Sequence, residues 1–156
     1  MFKSIDELNN FSFDDCVVAG IEKAEDGIVF EASALIVKAN NSQNTNFTES
    51  YAGPSSIKFV GGSMEGIVKA GFKYYNADGK LIKEVPDEEI QKPLWGSLIK
   101  SFPGNYLPAI ELNDGIYTVE VEMSEEDGTQ GNSYLLLIKA DSVQITWEHY
   151  MNRVQK

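Results

Sequence analysis

The sequence predicts a mainly β chain, an antiparallel β-sandwich or open barrel with one or two short helices, and three observations carry that reading. Apolar and polar side chains alternate at period two along several stretches, the pattern of strands with one buried face. Asp-Gly pairs at Asp26-Gly27, Asp78-Gly79 and Asp114-Gly115 separate those stretches with the chemistry of tight hairpin turns. No long helical periodicity alternates with the strands, which excludes parallel nucleotide-binding architectures. A length of 156 residues fits one domain, 1–156, and a chain of that size buries roughly 70% of its unfolded surface. With 42% hydrophobic and 24% charged residues, wholesale disorder is excluded.

Taken in order, Ser4-Ile5-Asp6-Glu7 has the form of a capping box and predicts a short helix over residues 5–10. Two long strands follow, residues 13–22 and 28–38, joined by a turn at Glu25-Asp26-Gly27. Ile28, Phe30, Ala32, Ala34 and Ile36 form the inner row of the second strand. Phe11, Phe13, Val17, Ala19 and Ile21 form that of the first, interrupted by Asp15. That interruption predicts either a bulge after Asp14 or an inward carboxylate held by hydrogen bonds, because an unpaired buried charge is very costly.

Residues 39–56, dense in Asn, Ser, Gln and Thr, read as a long surface loop carrying Phe47 and Tyr51 as candidate partner contacts or anchors. A strand is expected over 57–60 and a longer one over 64–75, turning at Asn76-Ala77-Asp78-Gly79 into 80–85. Pro86 followed by Asp87, Glu88 and Glu89 predicts a helix start, and Leu94, Trp95, Leu98, Ile99 and Phe102 a second short helix ended by Pro103-Gly104. The last third returns to strands over 109–112, 116–123, 134–138 and 143–149, with an acidic loop over 124–132. Residues 134–138 are apolar on both faces, the mark of a central strand.

Charge excludes more than it assigns. The chain has 24 acidic against 13 basic residues, a net charge of -11, which repels nucleic acid and anionic membranes. Between Lys100 and Lys139 no basic residue occurs, yet Glu111, Asp114, Glu120, Glu122, Glu125, Glu126 and Asp127 lie there. Such a face is either a solvated surface or a docking site for a basic protein partner. The apolar run 134–138 is too short to span a bilayer, and the N-terminal residues lack the apolar stretch of a signal peptide, so a cytoplasmic location is expected.

Catalytic chemistry is thin. Cys16 is the one cysteine and His149 the one histidine, so no cysteine metal cluster can form and the pair is the sole thiol–base combination available. Gly61-Gly62-Ser63 lacks the following lysine of a phosphate loop. The residues imply no cofactor.

Phe11-Ser12-Phe13-Asp14-Asp15 near the start and Val143-Gln144-Ile145-Thr146-Trp147-Glu148-His149-Tyr150 near the end look like a pattern in small uncharacterised bacterial β-rich proteins, some of the toxin-immunity type. A histidine often precedes the aspartate in that pattern, where Phe13 stands here. The resemblance implies a soluble acidic protein that binds another protein without a cofactor. Three readings follow. The first is a non-enzymatic binding protein using Phe47, Tyr51 and the acids Glu120, Glu122, Glu125, Glu126 and Asp127. The second is a small-ligand-binding barrel or sandwich with Trp95, Phe102, Tyr106 and Trp147 around a cavity. The third is an enzyme using Cys16 and His149.

Overall fold

Why the first hairpin forms is visible in its turn: Glu25-Asp26 is a two-residue connection with Gly27 paired to Ala24, and the Lys58 ammonium forms an ion pair with Asp26. The computed structural model describes residues 1–123 and 132–153. Strand β1 (Phe2–Ile5) leads into a 3-10 turn, Leu8–Asn10, and then β2 (Phe11–Ser12), β3 (Val17–Ala24), β4 (Gly27–Ser33) and β5 (Ile36–Val37). Next come β6 (Ser50–Ala52), β7 (Ser55–Val60), β8 (Ser63–Lys69), β9 (Phe72–Tyr75), β10 (Leu81–Val85) and β11 (Glu88–Glu89). A 3-10 turn, Lys92–Leu94, runs into helix α1 (Trp95–Ser101). The chain ends with β12 (Tyr106–Asn113), β13 (Ile116–Met123), β14 (Asn132–Lys139), β15 (Ser142–Trp147) and β16 (Tyr150–Arg153).

Among the described residues the main sheet has ten antiparallel strands in the order β1-β15-β7-β4-β3-β12-β13-β14-β8-β11. It folds over on itself. Phe59 of β7 packs edge-on against Tyr117 of β13 at 5.2 Å between ring centroids, although three strands separate the two in the sheet. The fold line is the seam between β3 and β12, which pair only at Val17 and Tyr106 before diverging. The edges β1 and β11 do not join, so the result is an open sandwich and not a closed barrel. A second sheet, β16-β6-β5-β2, packs Phe11 edge-on against Trp147 and contributes Val37 and Ala52 to the apolar core that both sheets share.

Several elements depart from the sequence reading. The expected helix over 5–10 is replaced by β1 and a single 3-10 turn, because residues 2–5 complete the edge of β15 and Asp6 adopts a left-handed φ of 53°. The Ser4 hydroxyl does reach the Glu7 carboxylate at 2.9 Å, but no side chain caps the turn. The first long strand is two pieces. The chain turns at Asp14-Asp15, with the Cys16 amide donating to the Phe13 carbonyl at 3.1 Å. This turn shifts the phase by one residue, so Cys16 and Val18 face the core in place of Val17 and Ala19. A bulge between Val18 and Gly20 then returns Ile21 to the position opposite Phe30. Asp15 is exposed and accepts the Tyr51 hydroxyl at 2.6 Å, so it is neither buried nor beside a bulge.

The second long strand also divides. Ala34 takes a left-handed φ of 58° and the chain passes into the second sheet at β5. Residues 39–56 are no free loop, since β6 and the start of β7 lie within them and Asn41 and Asn44 are buried. The Asn44 amide donates to the carbonyls of Val37, Lys38 and Thr48 at 3.2, 3.0 and 2.9 Å, doing for this bend what a sheet ladder does elsewhere. The expected strand over 64–75 breaks at Ala70-Gly71. The helix expected after Pro86 is instead β11: Glu88 and Glu89 pair with Lys69 and Val68, and the Asp87 carboxylate accepts the Gly71 amide at 2.6 Å. An open strand edge to complete outweighed a favourable helix N-terminus. The last predicted strand stops at Trp147, leaving His149 outside it and exposed.

Candidate functional site

Residues paired across antiparallel strands share a face, so the register defines two surfaces of the β12-β13-β14-β8 layer. The row Ile110, Val119, Leu136, Ile67 faces inward, and none of the four is more than 8% exposed. The adjacent row faces out: Ala109, Glu120, Leu135, Val68 and Glu89. Flanking it are the rows Tyr106, Glu122, Ser133 and Glu111, Thr118, Leu137, Gly66. These three rows hold no lysine or arginine; the next outward row, Asn113, Ile116, Lys139 and Ser63, brings the exposed Lys139 to the border of the face.

The outer surface therefore combines carboxylates with apolar side chains. Glu111, Glu122 and Glu89 are exposed, Tyr106 is 51% exposed, and Leu135, Leu137 and Val68 are half-buried. Leu137 lies over Gly66, whose missing side chain leaves it room. Residues 134–138 are the central strand their composition predicts, between β13 and β8. Their second apolar row is not enclosed by the fold, and that row is what the sequence reading missed. Its signal was already there in Leu135 and Leu137 beside alternating glutamates. Glu125, Glu126 and Asp127 lie outside the described residues, between the paired Met123 and Asn132 that end this surface.

The other expected contacts separate. Phe47 is 91% exposed at a left-handed φ of 58°, a strained backbone for a residue with a bulky side chain. Tyr51 is half-buried and its hydrogen bond to Asp15 ties β6 to the Asp14-Asp15 turn, so it serves as an anchor. Trp95, Phe102, Tyr106 and Trp147 do not line a common cavity. Phe102 and Trp147 are core side chains at 0% and 2% exposure, Tyr106 stands on the outer face, and Trp95 is half-buried on α1.

Cys16 is fully buried, and burial pushes its thiol up to about 12, which keeps it protonated and poorly nucleophilic at neutral pH. His149 is exposed with its ring against Gly53, where a Cβ would come within 2.8 Å of Nε2. Among the described residues no group of three or more His, Cys, Asp or Glu is arranged to hold a metal ion. No described helix is long and apolar enough to cross a membrane.

An acidic cleft of about 620 Å³ opens between the 3-10 turn and the β12-β13 hairpin, lined by Asp6, Glu7, Glu111, Leu112 and Tyr117 among others. Glu7 is its most perturbed group. Burial raises its pKa, but hydrogen bonds from the Ser42 side chain and backbone, Asn10 and Ser4 outweigh that and hold it down at about 2. Glu7 thereby clasps Ser42, 35 positions away, as well as its neighbours Ser4 and Asn10, and has few acceptor sites left for a ligand. Burial raises the Tyr117 phenol, with the charge and hydrogen bond of Asp6 adding to it. No family model matches the chain, and neither a search of curated proteins nor one of solved structures finds a match.

Proposed function

We propose that this is a non-enzymatic cytoplasmic protein that works by binding a basic protein partner through the outer face of β12-β13-β14-β8. The observation that carries the reading is the coincidence, in adjacent rows, of Glu111, Glu120 and Glu122 with half-buried Leu135 and Leu137 and the exposed Tyr106. Apolar side chains and a tyrosine with charges around them are the composition of a protein interface, and a one-signed field steers an oppositely charged partner. An immunity-like role, in which an acidic chain covers a basic protein, is the specific form of this proposal. Exposed Phe47 is a second contact point. The net charge of -11 disfavours nucleic acid as the partner.

The test is capture of partners at low salt by the wild-type chain and by the triple variant Glu111→Lys, Glu120→Lys, Glu122→Lys. A basic protein held by the wild type should associate with the variant about tenfold more slowly or worse, and with a weaker dependence on salt. Equal capture by the two proteins, or no basic protein captured from the native source, overturns the reading.

A further inference from the structure

A second concavity differs from the rest of the molecule in charge. Strands β3, β4 and β8 and helix α1 enclose a groove of about 510 Å³, within the range of small-molecule sites, roughly 300–1,000 Å³. Its walls are Ile21 and Ile28 from one layer of the sandwich, Met64 from the other, and Ile99 and Trp95 from α1. The groove thus lies between the two layers of the sandwich, with α1 beside it. Ile28 is 7% exposed and the other four are half-buried against the core, so the deep end is apolar. The Trp95 indole is fixed because its Nε1 donates to the Ile90 carbonyl at 2.9 Å. With that donor engaged, the ring presents only its apolar surface.

In a chain of net charge -11, the charged residues lining this groove are Lys23 and Lys92, with no carboxylate among the lining. The cleft beside Glu7 has the opposite character, with Asp6, Glu7 and Glu111 and no base. Lys92 lies 6.0 Å from the centroid of the Trp95 ring, and among the described residues neither lysine forms an ion pair. The acids nearest in sequence, Glu22 and Glu65, are outside the lining: Glu22 alternates to the opposite face of β3 from Ile21 and Lys23, and Glu65 takes the Ser63 hydroxyl at 2.9 Å.

We infer that this groove binds a small amphipathic anion: an apolar chain lies between Ile21, Ile28, Met64 and Ile99 against Trp95, and a carboxylate head sits at the rim between Lys23 and Lys92. Free lysines over an apolar cleft favour a ligand that leaves its charge at the edge and buries its body. The site is separate from the docking face, since Ile21, Ile28, Met64, Ile99 and Trp95 line the groove between the layers and none belongs to the outward rows of β12-β13-β14-β8 named above.

Titration with sodium decanoate, with decan-1-ol and decyltrimethylammonium as the neutral and cationic probes, tests it by calorimetry and tryptophan fluorescence. Decanoate should bind saturably at one site per chain, about tenfold or more tighter than the cation. The double variant Lys23→Glu, Lys92→Glu, both exposed positions whose replacement leaves the core intact, should lose about tenfold for decanoate and nothing for decanol. Trp95→Phe should remove the fluorescence response while Trp147 remains. Decanoate binding no tighter than the cation, an unchanged affinity in the double variant, or a full fluorescence response in Trp95→Phe overturns the inference.

Discussion

The β3-β4 and β9-β10 hairpins are written in the same local code and meet different fates. Each has apolar strands and an Asp-Gly turn, Asp26-Gly27 in one and Asp78-Gly79 in the other. In the first, β7 and β12 add on either side, and Val18, Ile28, Phe30 and Ala32 are buried. In the second, among the described residues β9 and β10 pair only with each other, and Tyr75, Leu81 and Ile82 stand 57%, 46% and 65% exposed. The second hairpin is held by its own contacts. Phe72 and Tyr74 stack edge to face at 4.9 Å, Lys83 lies over the Tyr74 ring, and an exposed Lys73–Glu84 pair at 3.8 Å adds little. A two-stranded hairpin is marginal in water until a third strand or a facing layer covers it. Turn chemistry selects a hairpin, and neighbours decide whether it becomes core.

The sharpest way to break that contrast is in the core. Phe59→Ala removes a fully buried ring that touches both Phe30 and Tyr117, and should cost about 3–5 kcal/mol in chemical denaturation. A loss below about 1 kcal/mol would mean that the two layers do not rest on this ring. Next is Gly71→Ala, at the junction between the main sheet and the second hairpin. A Cβ there would stand 2.1 Å from the Val85 carbonyl oxygen, so the backbones must part at a cost of about 1–3 kcal/mol. Amide exchange should quicken over 72–85 and stay unchanged in β4. Equal quickening in both would show that the hairpins open as one unit.

A smaller effect belongs to Glu7. Its folded pKa of about 2 lies below its ordinary 4.5, so its contribution to stability is full above pH 4.5 and is lost as pH falls toward 2. Glu7→Gln should therefore flatten the acid limb of the denaturation midpoint against pH, and a limb identical to wild type would refute the clasp to Ser42. The smallest change is expected for Ile82→Ser on the exposed hairpin, within about 0.5 kcal/mol of wild type by denaturation. A larger loss would place that side chain against something the fold buries.

Particular stretches show how far the sequence could be read. Strand β13 was legible to its ends because Tyr117, Val119 and Val121 alternate with Thr118, Glu120 and Glu122, and that pattern fits only a strand with one wet face. The segment after Pro86 was not, because a proline followed by acids suits a helix start and the edge of a strand equally, and only the vacant side of β8 decided between them. Asn41 and Asn44 looked like loop composition, since which carbonyls an asparagine amide will reach is a matter of where distant chain segments pass. The candidate sites divide in the same way. The glutamates of the outer face were readable from their alternation, whereas the groove beside Trp95 gathers side chains from four segments that share no pattern.

By itself the sequence determined the periodicity of the side chains, the places where the chain reverses, and the charge of the surface, because each depends on residues close together along the chain. The tertiary structure decided which strands lie side by side, which apolar rows are covered, and that Asp15 and His149 point to solvent while Cys16 does not. Alternation states that a strand has two faces, but the neighbour that buries one of them is chosen by contacts between distant segments.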